Sequence, residues 1–369
     1  MRILLLGEYS NVHNTLAIGL RELGHTVTVV SNGDFWKNYP RDIDLARRPG
    51  RLGGICLLLK VLLLLPRLRN YDIVQFINPI FFELKAHRLV PIFRYLKKHN
   101  RRLVLGAYGM DHYWVSTNIT QMPLRYSDFN IGKQLRNNPE AIKEQHEWLG
   151  TDKEYLNKLM ARECHGIIAG LYEYLVSYTP HYPQKTTFIP YPIIIHSTHI
   201  NTFSSIPYPI NIFIGISRNR SHYKGTDIML HAAQTLRATY PDKVKLTIAE
   251  GLPFEEYTKK MNGADIILDQ LYSYTPSMNP LEAMSRGIIC VGGGEPENYQ
   301  ILNEPTLRPI INVEPTYESC LHQLEQLINH PERIPKLKKQ SIAYIVKHHN
   351  HKKIARQYEQ FYLNLLQNR

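Results

Sequence analysis

Two doubly wound α/β domains facing a central cleft are the fold that this sequence predicts. Three observations point there. Apolar, β-rich runs alternate with helical patterns through both halves, as parallel sheets covered by helices on both faces require. A proline-dense stretch separates the halves near residue 200, and 369 residues exceed what one hydrophobic core usually fills. In folds of this kind ligands bind outside the carboxyl ends of the strands.

The elements follow in order. Met1-Arg2-Ile3-Leu4-Leu5-Leu6-Gly7 reads as a buried strand over 2–6, because its apolar run is too short for a secretory segment and no small-residue cleavage site follows. Further strands are expected at 26–30, 73–76, 103–105 and 166–169. Leu16, Leu20 and Leu23 share one helical face, and Gly24 is placed to end that helix. In the second half, strands are expected at 211–216, 243–249, 265–269, 288–291 and 309–313, with helices at 227–240, 254–262, 281–286 and 317–328. These runs divide the chain into a first domain at 1–190, a linker at 191–210, a second domain at 211–345 and a final helical stretch at 346–369.

Lys and Arg total 44 against 32 Asp and Glu, a net charge of +12 that attracts polyanions. Arg47, Arg48, Arg51, Arg67 and Arg69 gather around the leucine run at 55–65, and Lys97, Lys98, Arg101 and Arg102 form a second cluster. The run is broken by Lys60, closed by Pro66 and shorter than a membrane span. Two readings fit it: a helix lying in an anionic membrane interface, or a buried helix with solvated charged ends. Neither zinc-finger nor RNP patterns occur, so nucleic acid is not an expected partner. Cys56, Cys164, Cys290 and Cys320 are scattered, which fits a reducing cytoplasm and no structural metal.

The chemistry-bearing residues sit after strands. Gly7 opens a loop before the first helix, with His13 beside it, and lets backbone amides approach a phosphate. A dinucleotide fingerprint is absent, since only Gly7 fits it. Gly292-Gly293-Gly294 also follows a strand, without the Lys-Ser or Lys-Thr of a P-loop, and reads as a turn or a ligand-facing loop. Gly215 to Gly225 carries Arg218, Arg220 and Lys224, a set that grips phosphate oxygens or is simply solvated. In Asn279-Pro280-Leu281-Glu282-Ala283-Met284-Ser285-Arg286-Gly287, Asn279 suits an N-cap and Gly287 a helix stop. Glu282 then either completes a capping box or accepts two hydrogen bonds from a vicinal diol such as a ribose.

Arg218, Lys224-Gly225 and Leu281-Glu282-Ala283-Met284 with Gly287 resemble the second, Rossmann-like domain of GT-B glycosyltransferases, more narrowly the retaining sugar-nucleotide-dependent enzymes of family four. The resemblance spans almost the whole chain and implies a last helix that crosses back to the first domain. It also implies that Glu282 binds the nucleotide ribose, that Arg218 and Lys224 bind the donor diphosphate, and that Gly293 faces the donor. The family commonly has a glutamate eight positions before the ribose-binding one; here that position is Tyr274, whose phenol can bond a hydroxyl but offers no carboxylate. Asn279, Gly7 and Tyr274 complete the expected donor-binding set.

The implied reaction moves a glycosyl group from a nucleoside-diphosphate sugar to an acceptor hydroxyl, in bacterial surface polysaccharide or glycolipid synthesis. A nucleotide sugar and a saccharide or lipid-linked acceptor are the expected partners; the nucleotide sugar is a co-substrate, and no cofactor is expected. Gly106-Ala107-Tyr108-Gly109-Met110-Asp111-His112 follows a strand, and Asp111, His112 and His13 are the catalytic candidates. Asp42 and Asp44 have metal-ligand spacing but no strand before them, so no metal is expected. The alternatives are a GT-B-fold epimerase, which needs paired carboxylates around one sugar carbon, or a non-catalytic nucleotide-sugar-binding or membrane scaffold.

Overall fold

The computed structural model describes residues 1–50, 52–195, 206, 208–217, 220–252 and 254–367. In chain order the first nine strands are β1 (Arg2–Leu6), β2 (Thr26–Ser31), β3 (Ile43–Asp44), β4 (Ile73–Phe76), β5 (Arg102–Ala107), β6 (Asn130–Ile131), β7 (Gln134–Leu135), β8 (Gly166–Ala169) and β9 (Thr186–Phe188). Then come β10 (Ile210–Ile216), β11 (Val244–Glu250), β12 (Ile266–Leu268), β13 (Ile289–Gly292) and β14 (Ile311–Asn312). The helices of the first half are α1 (Val12–Glu22), α2 (Gly53–Leu64), α3 (Ala86–His99), α4 (His112–Thr120), α5 (Pro139–Trp148), α6 (Asp152–Glu163) and α7 (Tyr172–Tyr178). Those of the second are α8 (Ser221–Lys224), α9 (Thr226–Thr239), α10 (Phe254–Met261), α11 (Met278–Ser285), α12 (Pro296–Ile301), α13 (Tyr317–Asn329), α14 (Ile334–His348) and α15 (His351–Gln367).

Two compact units divide the chain, and not by a single cut. The first comprises Met1–Gln121, Lys143–Pro192 and His351–Arg369; the second comprises Met122–Ile142 and Ile193–Asn350. Residues 122–142, expected within the first domain, therefore belong to the second unit. The reason is local: their side chains bond to loops of that unit. Of the expected linker, 196–205 and 207 lie outside the described residues.

The first unit is built on a seven-stranded sheet of order β3-β2-β1-β4-β5-β8-β9, parallel throughout. Ile3 to Leu6 at its centre are wholly buried, because helices cover both faces of a parallel sheet. The short edge strands β3 and β9 escaped sequence reading, having too few residues to show a pattern. At the end of α1, Gly24 donates to the Arg21 carbonyl and His25 to the Leu20 carbonyl, a Schellman closure. α15 lies against α1: a Cβ on Gly19 would stand 2.7 Å from that of Ala355, and His25 bonds Glu359 at 2.8 Å.

The second unit has a five-stranded parallel sheet, order β11-β10-β12-β13-β14. Ile212, Ile214, Ile266, Leu268, Ile289 and Val291 form its buried centre with Met229, Leu236 and Leu324 from the covering helices. Strand order reverses between β10 and β12, so the loops after these two strands flank the switch-point crevice.

Candidate functional site

Among the described residues, 217 and 220–225 follow β10 and 269–277 follow β12, the two sides of the crevice of the second unit. Lys224 ends α8 half-buried, and its carbonyl accepts the Leu271 amide at 3.0 Å, which ties the two loops together. Beside it stands Asp269, whose Oδ2 is buried without a hydrogen-bond partner among the described residues. Burial pushes this carboxyl up to about 6, against the pull of the Lys224 ammonium. Arg218 lies outside the described residues.

α11 starts earlier than the sequence suggested. Its N-cap is Ser277, without a side-chain cap bond, so Asn279 is the second helical residue rather than the cap. Pro280 remains tolerable there, since the first helical amides have no partner inside the helix. Glu282 consequently sits two residues too deep for a capping box; its Oε1 accepts from Arg286 at 2.7 Å and its side chain is 29% exposed. Asn279 is exposed and hydrogen-bonds the Tyr257 phenol. At the other end, Gly287 has φ +77° and donates to Met284, while Ile288 donates to Ala283. The predicted helix stop is thus a Schellman motif.

The triple glycine has a packing cause. A Cβ on Gly293 would stand 2.2 Å from the Ser273 carbonyl oxygen, so the loop after β13 runs backbone to backbone against the loop after β12. Tyr274 is buried, with its hydroxyl accepting the Arg125 amide at 2.6 Å and the Arg125 guanidinium 4.8 Å above its ring. Burial pushes the phenol up to about 12, against its bond to the Arg125 amide. The expected donor contact at 274 is corrected accordingly: the phenol faces the protein.

In the first unit the predicted catalytic residues turn inward. Asp111 is the N-cap of α4, fully buried, accepting from the Trp114 amide at 2.8 Å and the Tyr178 hydroxyl at 2.6 Å. Burial raises its carboxyl to about 6, opposed by those bonds. The His112 ring is buried against the Trp148 carbonyl at 3.2 Å, and burial lowers its pKa. His13 is buried as well: Nδ1 lies 2.8 Å from the Gly7 carbonyl and Nε2 lies 3.1 Å from Gln75 Nε2. These contacts assign the neutral tautomer protonated on Nδ1, consistent with burial lowering the pKa to about 3. In His13 both ring nitrogens are engaged; Asp111 is occupied as the cap of α4 and by Tyr178, and His112 is held at Nδ1 by the Trp148 carbonyl. Gly7 has φ +83°, and a Cβ there would strike Ile77 at 2.4 Å.

Sequence reading passed over several residues here. Glu8, buried after β1, accepts the His13 and Asn14 amides at 3.1 and 2.8 Å, and burial lifts its carboxyl to about 8. Gln75, on β4, accepts from Tyr362 at 2.7 Å, joining β4 to α15. Arg125, Tyr126 and Arg136 lie in the 122–142 segment; the signal available was a turn around Gly132 flanked by arginines and aromatics. Asp42 and Asp44 are held by Arg21 at 2.6 Å and Arg41 at 2.7 Å. Among the described residues no cluster of three His, Cys, Asp or Glu is placed to hold a metal ion.

No family model and no curated protein sequence matches the chain. Solved structures do. HepE from Anabaena, in complex with UDP and glucose, superposes with a TM-score of 0.59 at 13% identity, covering 98% of both chains. Sucrose-phosphate synthase from Thermosynechococcus elongatus gives 0.63 at 14% identity over 99% of both. The catalytic domain of starch synthase IV from Arabidopsis thaliana, bound to ADP and acarbose, gives 0.59 at 11% identity over 99% of both. Likeness at these identities is likeness of fold, and the chain has the GT-B fold, two Rossmann-like domains, that its sequence motifs resemble.

Proposed function

We propose that the protein is a glycosyltransferase that moves a hexosyl group from a nucleoside-diphosphate sugar to an acceptor hydroxyl. The observation carrying this reading is the second unit's switch point, where Lys224 stands on one flank and Glu282 lies on the helix after the other. Lys224 would take the donor diphosphate, and the second oxygen of Glu282 the ribose hydroxyls, since a carboxylate keeps several acceptor positions beyond its Arg286 bond. Asp269 offers a further acceptor for a ligand hydroxyl or amide. The structural neighbours named above, two of them bound to UDP or ADP, support the same assignment.

Negative charge grows on the departing diphosphate, and stabilising it is the chain's main contribution; Lys224 and backbone amides are fixed for that purpose before the donor arrives. We assign this role to the chain's own cations rather than a bound metal, and retention of anomeric configuration follows from the family resemblance. The acceptor is a saccharide or lipid-linked saccharide of surface polysaccharide or glycolipid synthesis. We also place the protein peripherally on the inner face of an anionic membrane. Leu52, Ile55, Leu59, Leu62 and Leu63 are 47–81% exposed and recur at helical spacing on and just before α2, while Leu57, Val61 and Leu64 face the core. Exposed Arg47, Arg48, Arg67 and Arg69 flank this apolar face, matching anionic headgroups.

Isothermal titration with a panel of nucleoside diphosphates tests the site. Lys224→Ala should weaken binding about ten- to a hundredfold, the size of a lost charge-assisted bond, and Glu282→Ala should weaken it too, with both variants melting as the parent does. Unchanged affinity in both would sink the assignment.

A further inference from the structure

Residues 122–142 are flanked on both sides by chain of the first unit yet belong to the second. They fold around a short antiparallel pair, β6 and β7, turning at Gly132 with φ +58°. Their contacts fall on three loops, those after β10, β12 and β13. On the loops after β12 and β13, the Arg125 amide bonds Tyr274, its guanidinium bridges Glu295 and Glu297, and Tyr126 donates to Glu295. Glu295 is itself held by Asn312 at 3.0 Å. On the loop after β10, Tyr223 donates to Asp128 at 2.7 Å.

Arg136 makes a further set of contacts. Its guanidinium lies 3.4 Å above the centre of the Tyr272 ring and donates to the carbonyls of His222 at 2.7 Å and Tyr223 at 3.0 Å. It also donates to the Ser127 and Asp128 carbonyls at 3.1 and 3.2 Å. The last carbonyls of a helix lack partners within it, and a cation there is favoured by the helix dipole. α8 ends in Lys224, and its final three carbonyls are satisfied from outside: two by Arg136 and that of Lys224 by the Leu271 amide. A planar fork can hold two successive carbonyls and stack on a ring at once, which an ammonium cannot.

We propose that the 122–142 segment is a clasp on the donor loops, with Arg136 the positioning residue that holds Lys224 ready for a nucleoside diphosphate. The proposal rests on the donor-site reading above. Arg136 touches main chain and a ring, so it acts through Lys224. Holding a cation in place before the ligand arrives removes an ordering cost from binding.

A double-mutant cycle tests this. The nucleoside diphosphate of a UDP, GDP and ADP panel that binds the parent tightest is titrated into Arg136→Ala, Arg136→Lys, Lys224→Ala and the double variant, each checked for its melting temperature. Arg136→Ala should bind about tenfold more weakly, the size of one lost charge-assisted bond, with Arg136→Lys in between. The double variant should bind no worse than Lys224→Ala alone, because an effect exerted through Lys224 vanishes with it. Parent-like affinity in Arg136→Ala, or losses that multiply in the double variant, would overturn the clasp while leaving the donor site standing. Parent-like affinity in Lys224→Ala, or no binding by the parent, would overturn the donor site and the clasp together. If Arg136→Ala does not fold, the same cycle run with Arg136→Lys decides.

Discussion

Tyr274 occupies the place of a carboxylate in the family pattern, and its hydroxyl accepts the Arg125 amide inside the protein. Tyr274→Phe should therefore cost about 1 kcal/mol of stability, the net worth of one hydrogen bond, and lower the melting temperature by a few degrees. Nucleotide affinity should stay as in the parent. A sugar contact would show the reverse in thermal melts and titration: intact stability with weakened donor binding. His13, Asp111 and His112 teach the same lesson. A polar residue just after a strand either faces a ligand or satisfies the backbone nearby, and sequence position is common to both. Which one holds depends on neighbours far away in the chain: Gln75 for His13, Tyr178 for Asp111 and Trp148 for His112.

At the scale of elements, α14 is pinned by one buried carboxylate. Glu304 accepts from Lys347, from His348 at 2.7 Å and from the Thr306 and Leu307 amides at 3.0 and 2.9 Å. Burial alone would raise its pKa; these partners outweigh burial and hold it well below the ordinary 4.5. A depressed folded pKa gives stability that is fully present above the unfolded value and is lost as pH falls below it. Urea unfolding should show Glu304→Gln weaker than the parent by about 1–3 kcal/mol at pH 7. That gap should shrink below pH 4.5, where the carboxyl of the unfolded parent takes up a proton while the folded one stays ionised; a gap independent of pH would refute the ion pairs' role. α2 offers the second test. The parent should float with vesicles containing anionic lipid and not with neutral ones, and Leu59→Glu with Leu63→Glu should abolish flotation. No flotation of the parent would remove the membrane proposal. The apolar run made a leucine helix legible, but both faces of α2 are leucine-rich, and only the packed sheet shows which leucines are left outside.

Across the whole molecule, parallel sheets were legible because strands buried on both faces write themselves as apolar runs, and glycines mark helix ends where φ must be positive. β1, β4 and β8 were placed to the residue this way, as was the Gly287 stop. The loops at two strand ends of the second half were singled out by their residues, and the strand order of the sheet then put them at its switch point. The sequence by itself determined the α/β class, the core strands and the loops on which the donor chemistry should lie. Tertiary structure alone decided which polar residues turn inward, that 122–142 joins the second unit, and that Arg136 stands over Tyr272. The physical reason is range. Strand and helix patterns arise from neighbours a few residues apart, whereas a hydrogen bond such as that of Arg125 to Tyr274 joins residues 149 positions apart. No local period encodes such a contact.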